Sequence, residues 1–113
     1  MIDDPVQVEA LMAKMEASLP IPARPVSGLV RSLKSKGVDL HRHQLLSIKS
    51  VLYLGDEAGI SCDITPPGME KTPIICSLTH LRVPPAHPLA KEIRAYQTAR
   101  SSRLARGPGA SKM

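Results

Sequence analysis

The chain has 113 residues, enough for one domain, with a net charge of +5 and a core that contains no Phe, no Trp and only two Tyr. Leu, Ile, Val, Met and Ala must therefore supply the buried area that aromatic side chains normally dominate. No run approaches the ~20 apolar residues of a membrane span, and the opening Met-Ile-Asp-Asp-Pro lacks the basic and apolar regions of a secretory signal. The expectation is a cytoplasmic protein with Cys62 and Cys76 reduced and no membrane partner.

Asp3 or Asp4 can cap a first helix with Pro5 at its first position. Val8, Leu11, Met12, Met15 and Leu19 then share one side, and Pro20 ends the helix. The proline-rich stretch from Leu19 to Pro25 reads as an extended, stiff connector, since each Pro biases its predecessor away from helix. A second helix is expected from about Ser27 to Lys36, stopped by Gly37, with Val26, Leu29, Val30 and Leu33 as its apolar stripe.

Leu45 to Val83 reads as three antiparallel strands: 45–54, 60–65 and 74–83. Gly55 to Gly59 is the first turn and Pro66 to Thr72 the second loop. A symmetric second loop sets Cys62 opposite Cys76, Ile60 opposite Leu78 and Ile64 opposite Ile74. A two-for-two pairing through the first turn sets Leu54 by Ile60 and Leu52 by Cys62. One face is then Ile48, Leu52, Leu54, Ile60, Cys62, Ile64, Ile74, Cys76 and Leu78, consistently apolar. The other is mixed, with Val51, Tyr53, Ile75, Leu81 and Val83 among Lys49, Ser61, Asp63, Ser77 and Thr79.

Three prolines break the chain before a last helix that starts near Pro88. Leu89, Ile93, Tyr96 and Leu104 fall on one side, with Arg100 in the middle of that stripe. A buried, unpaired Arg is costly, so this helix should dock only to about Gln97, or Arg100 should snorkel to water. The domain organisation expected is a single α+β domain over 1–99: two N-terminal helices, a three-stranded antiparallel meander and a C-terminal helix. Residues 100–113 read as a basic, disordered tail.

No catalytic or metal pattern stands out. His41 and His43 have no zinc-type spacing with the cysteines, which sit mid-strand on the apolar face. No cofactor, catalytic residue or metal ligand is assigned. An enzyme using Cys62 or His80 ranks third, because a nucleophilic thiol needs an exposed, electropositive setting. Charge falls in blocks: Lys14 against four acids in 1–20, six basic residues against Asp39 in 21–53, two against four acids in 54–86, and six against Glu92 in 87–113. Such alternation suits complementary protein surfaces. The reading is a small, non-enzymatic binding or accessory protein, homodimeric or paired with another protein. Its contact surface would be Val51, Tyr53, Ile75, Leu81 and Val83 of the mixed sheet face with Met12 and Met15 of the first helix. The alternative is sequence-tolerant nucleic-acid binding, with Arg31, Lys34, Arg42, Arg100, Arg103 and Arg106 on phosphates.

Overall fold

The computed structural model describes residues 2–110, with side chains described to residue 105. It is an α+β globule of four helices and two three-stranded antiparallel sheets. Helix α1 spans Pro5–Ser18, with the Asp4 carboxylate accepting from the Val6 amide and Pro5 opening the helix. Its stripe works as read: Val8, Leu11 and Met15 are buried, and Met12 and Leu19 are packed against the core. Helix α2, Ser27–Lys34, ends two residues earlier than expected. Gly37 follows at φ 85°, where a left-handed residue closes the helix end.

The expected connector is a strand, β1 (Ile21–Pro25). It pairs with β2 (Leu46–Ile48) over residues 21–23 and with β6 (Leu81–Arg82) over 24–25. Neither partner spans the whole strand, so each residue has one open side. That arrangement tolerates Pro22 and Pro25, which could not complete a fully paired central strand. Burial alternates along it, with Ile21, Ala23 and Pro25 inside.

The first strand of the expected meander is broken at Lys49. β2 belongs to one sheet and β3 (Ser50–Tyr53) to the other, with the Lys49 amide donating to the Asp63 carbonyl at the corner. β3, β4 (Ile60–Asp63) and β5 (Ile75–Ser77) form the meander proper. After β5 a 3₁₀ turn, Leu78–His80, leads into β6 and back to β1. Four chain segments (21–25, 46–53, 60–63 and 75–82) thus pair in a closed ring around Ile21, Ile48, Ile60, Cys62, Leu78 and Leu81, all fully buried.

The expected register holds on one side of β4 and slips by one residue on the other. Cys62 faces Cys76 as read, and the Ile64 amide bonds the Ile74 carbonyl. Across the first turn, however, Val51 faces Cys62, Leu52 faces Ser61 and Tyr53 faces Ile60. The cause is the turn. Gly55–Ala58 winds into one helical turn, α3, between glycines at φ 71° and 67°, and the Leu54 amide closes it on the Gly59 carbonyl. Four residues bridge the strands, not the odd number the two-for-two pairing requires. A one-residue slip turns every side chain over. Val51 and Tyr53 are therefore packed against the core, while Leu52 and Leu54 are exposed at 37% and 47%.

Helix α4 spans Ala90–Ala110, so the boundary expected at residue 100 falls inside a helix, and residues 111–113 lie outside the described residues. The helix docks beyond Gln97, correcting the expectation for Arg100, which is 1% exposed. What makes this affordable is Asp3, from the segment before α1. Arg100 Nη1 meets Asp3 Oδ2 at 2.9 Å, with both side chains buried. The same oxygen accepts from the Tyr53 and Tyr96 hydroxyls, each at 3.0 Å. Tyr96 in turn accepts from the Ile60 amide at 2.9 Å, and Arg100 Nη2 donates to the Asp56 carbonyl at 2.6 Å. Both tyrosines of the chain and the one cation buried among the described residues thus converge on one carboxylate. Gln97 Nε2 fastens the same helix to the Leu78 and Leu81 carbonyls, 2.7 Å each.

Gly59 sits beneath this network. A Cβ there would overlap the Tyr96 hydroxyl and come within 2.9 Å of the Arg100 guanidinium, at a φ already left-handed. Gly37 has the same hand with open space around it. Gly59→Ala should therefore lower the urea unfolding free energy by about 2–4 kcal/mol, and Gly37→Ala by about 1 kcal/mol. Equal losses at the two positions would contradict this account of Gly59.

Candidate functional site

The contact residues picked out from the sequence separate into three environments. Met15 and Leu81 are fully buried and leave the surface altogether, because α1 and β6 turn those side chains into the core. Val51, Tyr53, Val83 and Met12 are partly buried and packed on that core. Of the expected contact surface, only Ile75 is largely exposed, at 53%.

The outer face of the meander is real but carries other residues. The observed register puts Ser50, Asp63 and Ile75 in one row and Leu52, Ser61 and Ser77 in the next. Leu54 follows just beyond β3. Leu52, Leu54 and Ile75 are the exposed apolar side chains of this face; Ser61 and Ser77 on it are buried. Asp63 is engaged locally: its Oδ1 accepts from the Thr65 amide and hydroxyl at 2.9 and 2.6 Å, which holds its carboxyl below the usual range. Leu52 and Leu54 were missed because the turn length sets the face on which they fall. The signal that reveals them is the glycine at each end of the Asp-Glu-Ala turn, which permits a helical turn in place of a tight one.

The proposed phosphate ligands do not act together. Arg100 is committed to Asp3. Arg103 Nη1 donates to the Ile2 carbonyl at 2.9 Å and helps hold the N-terminal segment on α4. Arg31, Lys34 and Arg42 are exposed, on α2 and in the following loop, and the Arg106 side chain lies outside the described residues.

The cysteines face one another across β4 and β5 as free thiols. Cys62 is fully buried, and desolvation, followed by the neighbouring Cys76, pushes its thiol far up. Burial pushes Cys76 up to about 12. Both are held as thiols, the reverse of what a nucleophile needs. Cys76 and His80 line a common groove against α2. His80 is depressed by burial and then by Arg82. Among the described residues no three His, Cys, Asp or Glu side chains are grouped to hold a metal. No described helix is long and apolar enough to cross a membrane. Comparison with known proteins gives no matching family model, no matching curated protein and no matching solved structure.

The raised groups make a pH prediction. Cys62, Cys76 and Tyr96 all keep their protons in the folded state above their ordinary values of 9.0 and 10.0. The unfolded chain loses those protons first, so stability is intact below about pH 8.5 and falls as pH rises through 9 and 10. Each such group contributes up to about 1.4 kcal/mol per pH unit in that window. Urea unfolding between pH 7 and 10.5 checks this, and a flat profile contradicts it. In the same pH 7 buffer, a disulfide reagent should label both thiols only as fast as the chain unfolds.

Proposed function

We propose that this chain is a non-enzymatic binding protein that pairs with a second copy of itself through the outer face of the β3–β4–β5 meander. The observation that carries the reading is the exposure of Leu52, Leu54 and Ile75 together on one sheet face. Ser50 is exposed in the same row as Ile75, while Ser61 and Ser77, in the row of Leu52, are buried.

A second copy is favoured as occupant by the charge at the two ends of the face. Lys49 precedes β3 and Glu57 follows it on α3; both are exposed and neither enters an ion pair among the described residues. A two-fold axis near Leu52 brings the Lys49 end of each copy against the Glu57 end of the other. Isologous pairing requires this kind of self-complementarity. Three apolar side chains per copy make a small patch, so the pairing belongs to the weak class of interface. The two buried free thiols suit a reducing, cytosolic setting.

The nucleic-acid alternative is weaker than it looked in the sequence. Arg100, one of its six residues, is withdrawn into the core, Arg103 is held on the Ile2 carbonyl, and a solvated role suffices for Arg31, Lys34 and Arg42.

Sedimentation equilibrium over a range of about 1 μM to 1 mM tests the proposal. The expected result is a mass rising from 12.2 kDa toward twice that value. Leu52→Asp and Ile75→Asp should each weaken the dimer by roughly tenfold or more, since each buries a charge against an apolar partner. A monomer at every concentration, or a dimer indifferent to both substitutions, rules the proposal out.

A further inference from the structure

Acidic residues run out along the last part of the chain. After Glu70 the only one is Glu92, and its carboxylate is taken by Lys14 of α1 at 2.6 Å. Basic residues continue, and the fold gathers four of them. Arg82 on β6 is the cross-strand partner of Arg24 on β1. Across from β6, α4 presents Lys91 and Arg94, one turn apart. Like charges directly opposite on paired strands are destabilising. None of Arg24, Arg82, Lys91 and Arg94 has a carboxylate within 4 Å among the described residues.

Arg82, Lys91 and Arg94 border a groove between β6 and α4. It consists of two adjoining hollows, of about 560 and 460 Å³, and both are lined by Arg82 and Arg94. The Arg82 guanidinium is aimed by its own backbone contacts: Nη1 donates to the Leu81 carbonyl at 2.9 Å and the Thr79 carbonyl at 3.2 Å. Burial and then the nearby Arg94 lower its affinity for its proton. Lys91 joins the first hollow, whose wall is apolar at Val83 and Pro85. The second hollow is lined by hydroxyls from Thr98, Ser101 and Ser102.

We propose that this groove binds the phosphoryl group of a small phosphorylated molecule, held between Arg82 and Arg94, with the organic part of the ligand resting on Val83 and Pro85. Two guanidinium forks match the oxygens of a phosphate better than those of a carboxylate, which one fork would satisfy. Lys91 adds a third positive charge against the dianion, and the hydroxyls supply further donors. The hollows are open to solvent, so a ligand would rest in the groove and not be enclosed by it. An extended polynucleotide would need aromatic platforms or a longer cationic track, and both tyrosines are spent on Asp3. The groove shares no residue with the dimer face, so this inference stands apart from the proposed self-association.

The test is a titration of the full-length protein followed by amide proton–nitrogen spectra. The probes are inorganic phosphate, adenosine monophosphate and adenosine. Phosphate and the monophosphate should shift amides within 79–83 and 91–102, the monophosphate the more tightly, and adenosine should not. Arg94→Met, at an exposed site, should weaken the monophosphate roughly tenfold or more, and Arg82→Lys, which keeps the charge but loses the fork, by a similar factor. Arg31→Met, outside the groove, should leave it unchanged. The proposal is overturned by any of three results: no shift up to about 10 mM probe, equal shifts with adenosine, or binding indifferent to Arg94→Met. A single-stranded oligonucleotide binding far more tightly than the monophosphate through these residues would also overturn it, in favour of a nucleic-acid surface.

Discussion

One carboxylate oxygen, Asp3 Oδ2, receives the Arg100 guanidinium and the hydroxyls of Tyr53 and Tyr96, all within 3.0 Å. These donors come from β3 and α4, and the acceptor precedes α1. The network therefore pins the N-terminal segment, the meander and the last helix at one point. Further bonds extend it: Ile2 donates to the Asp56 side chain, Arg100 reaches the Asp56 carbonyl, and Arg103 reaches the Ile2 carbonyl. A buried ion pair adds little net stability over a well-packed apolar replacement, but removing one member strands the other. Loss of either Asp3 or Arg100 would therefore leave a buried charge without its partner at the point where three parts of the chain meet.

The closed ring of strand segments supplies the rest of the constraint. Two corners, at Lys49 and at the 3₁₀ turn after β5, pass the chain from one sheet to the other. The meander then lies with its inner face over the core and its outer face exposed at Ser50, Leu52 and Ile75, while β6 runs alongside α4. The two proposed surfaces follow from these placements. The outer face collects Leu52, Leu54 and Ile75; the β6–α4 groove collects Arg82, Lys91 and Arg94.

Local chemistry was legible in the sequence. The Asp-Pro start of α1, its stripe, the Gly37 stop and the Cys62–Cys76 pairing follow from spacing alone. What depends on partners distant in the chain was not. The 19–25 stretch looks like a connector because three prolines argue against a strand; it pairs only because each neighbour covers part of it. The meander's first register needs the conformation of α3, which the turn's residue types permit without dictating. Arg100 looks like a break in an apolar stripe, and its partner lies 97 residues away. Through that one-residue slip Val51 and Tyr53 leave the candidate surface, and Leu52 and Leu54 enter it. The basic groove escaped notice because Arg82 and Arg94 belong to different charge blocks and meet only in the fold.

The central claim is that Asp3 and Arg100 act as a unit, and a double-mutant cycle measures this directly. Asp3→Asn, Arg100→Met and the double variant would be unfolded in urea at pH 7. The account predicts that each single change costs about 3–5 kcal/mol, and that the double costs well below the sum, leaving a coupling of several kcal/mol. Single losses under about 1 kcal/mol, or losses that simply add, would mean that the pair is incidental to the fold.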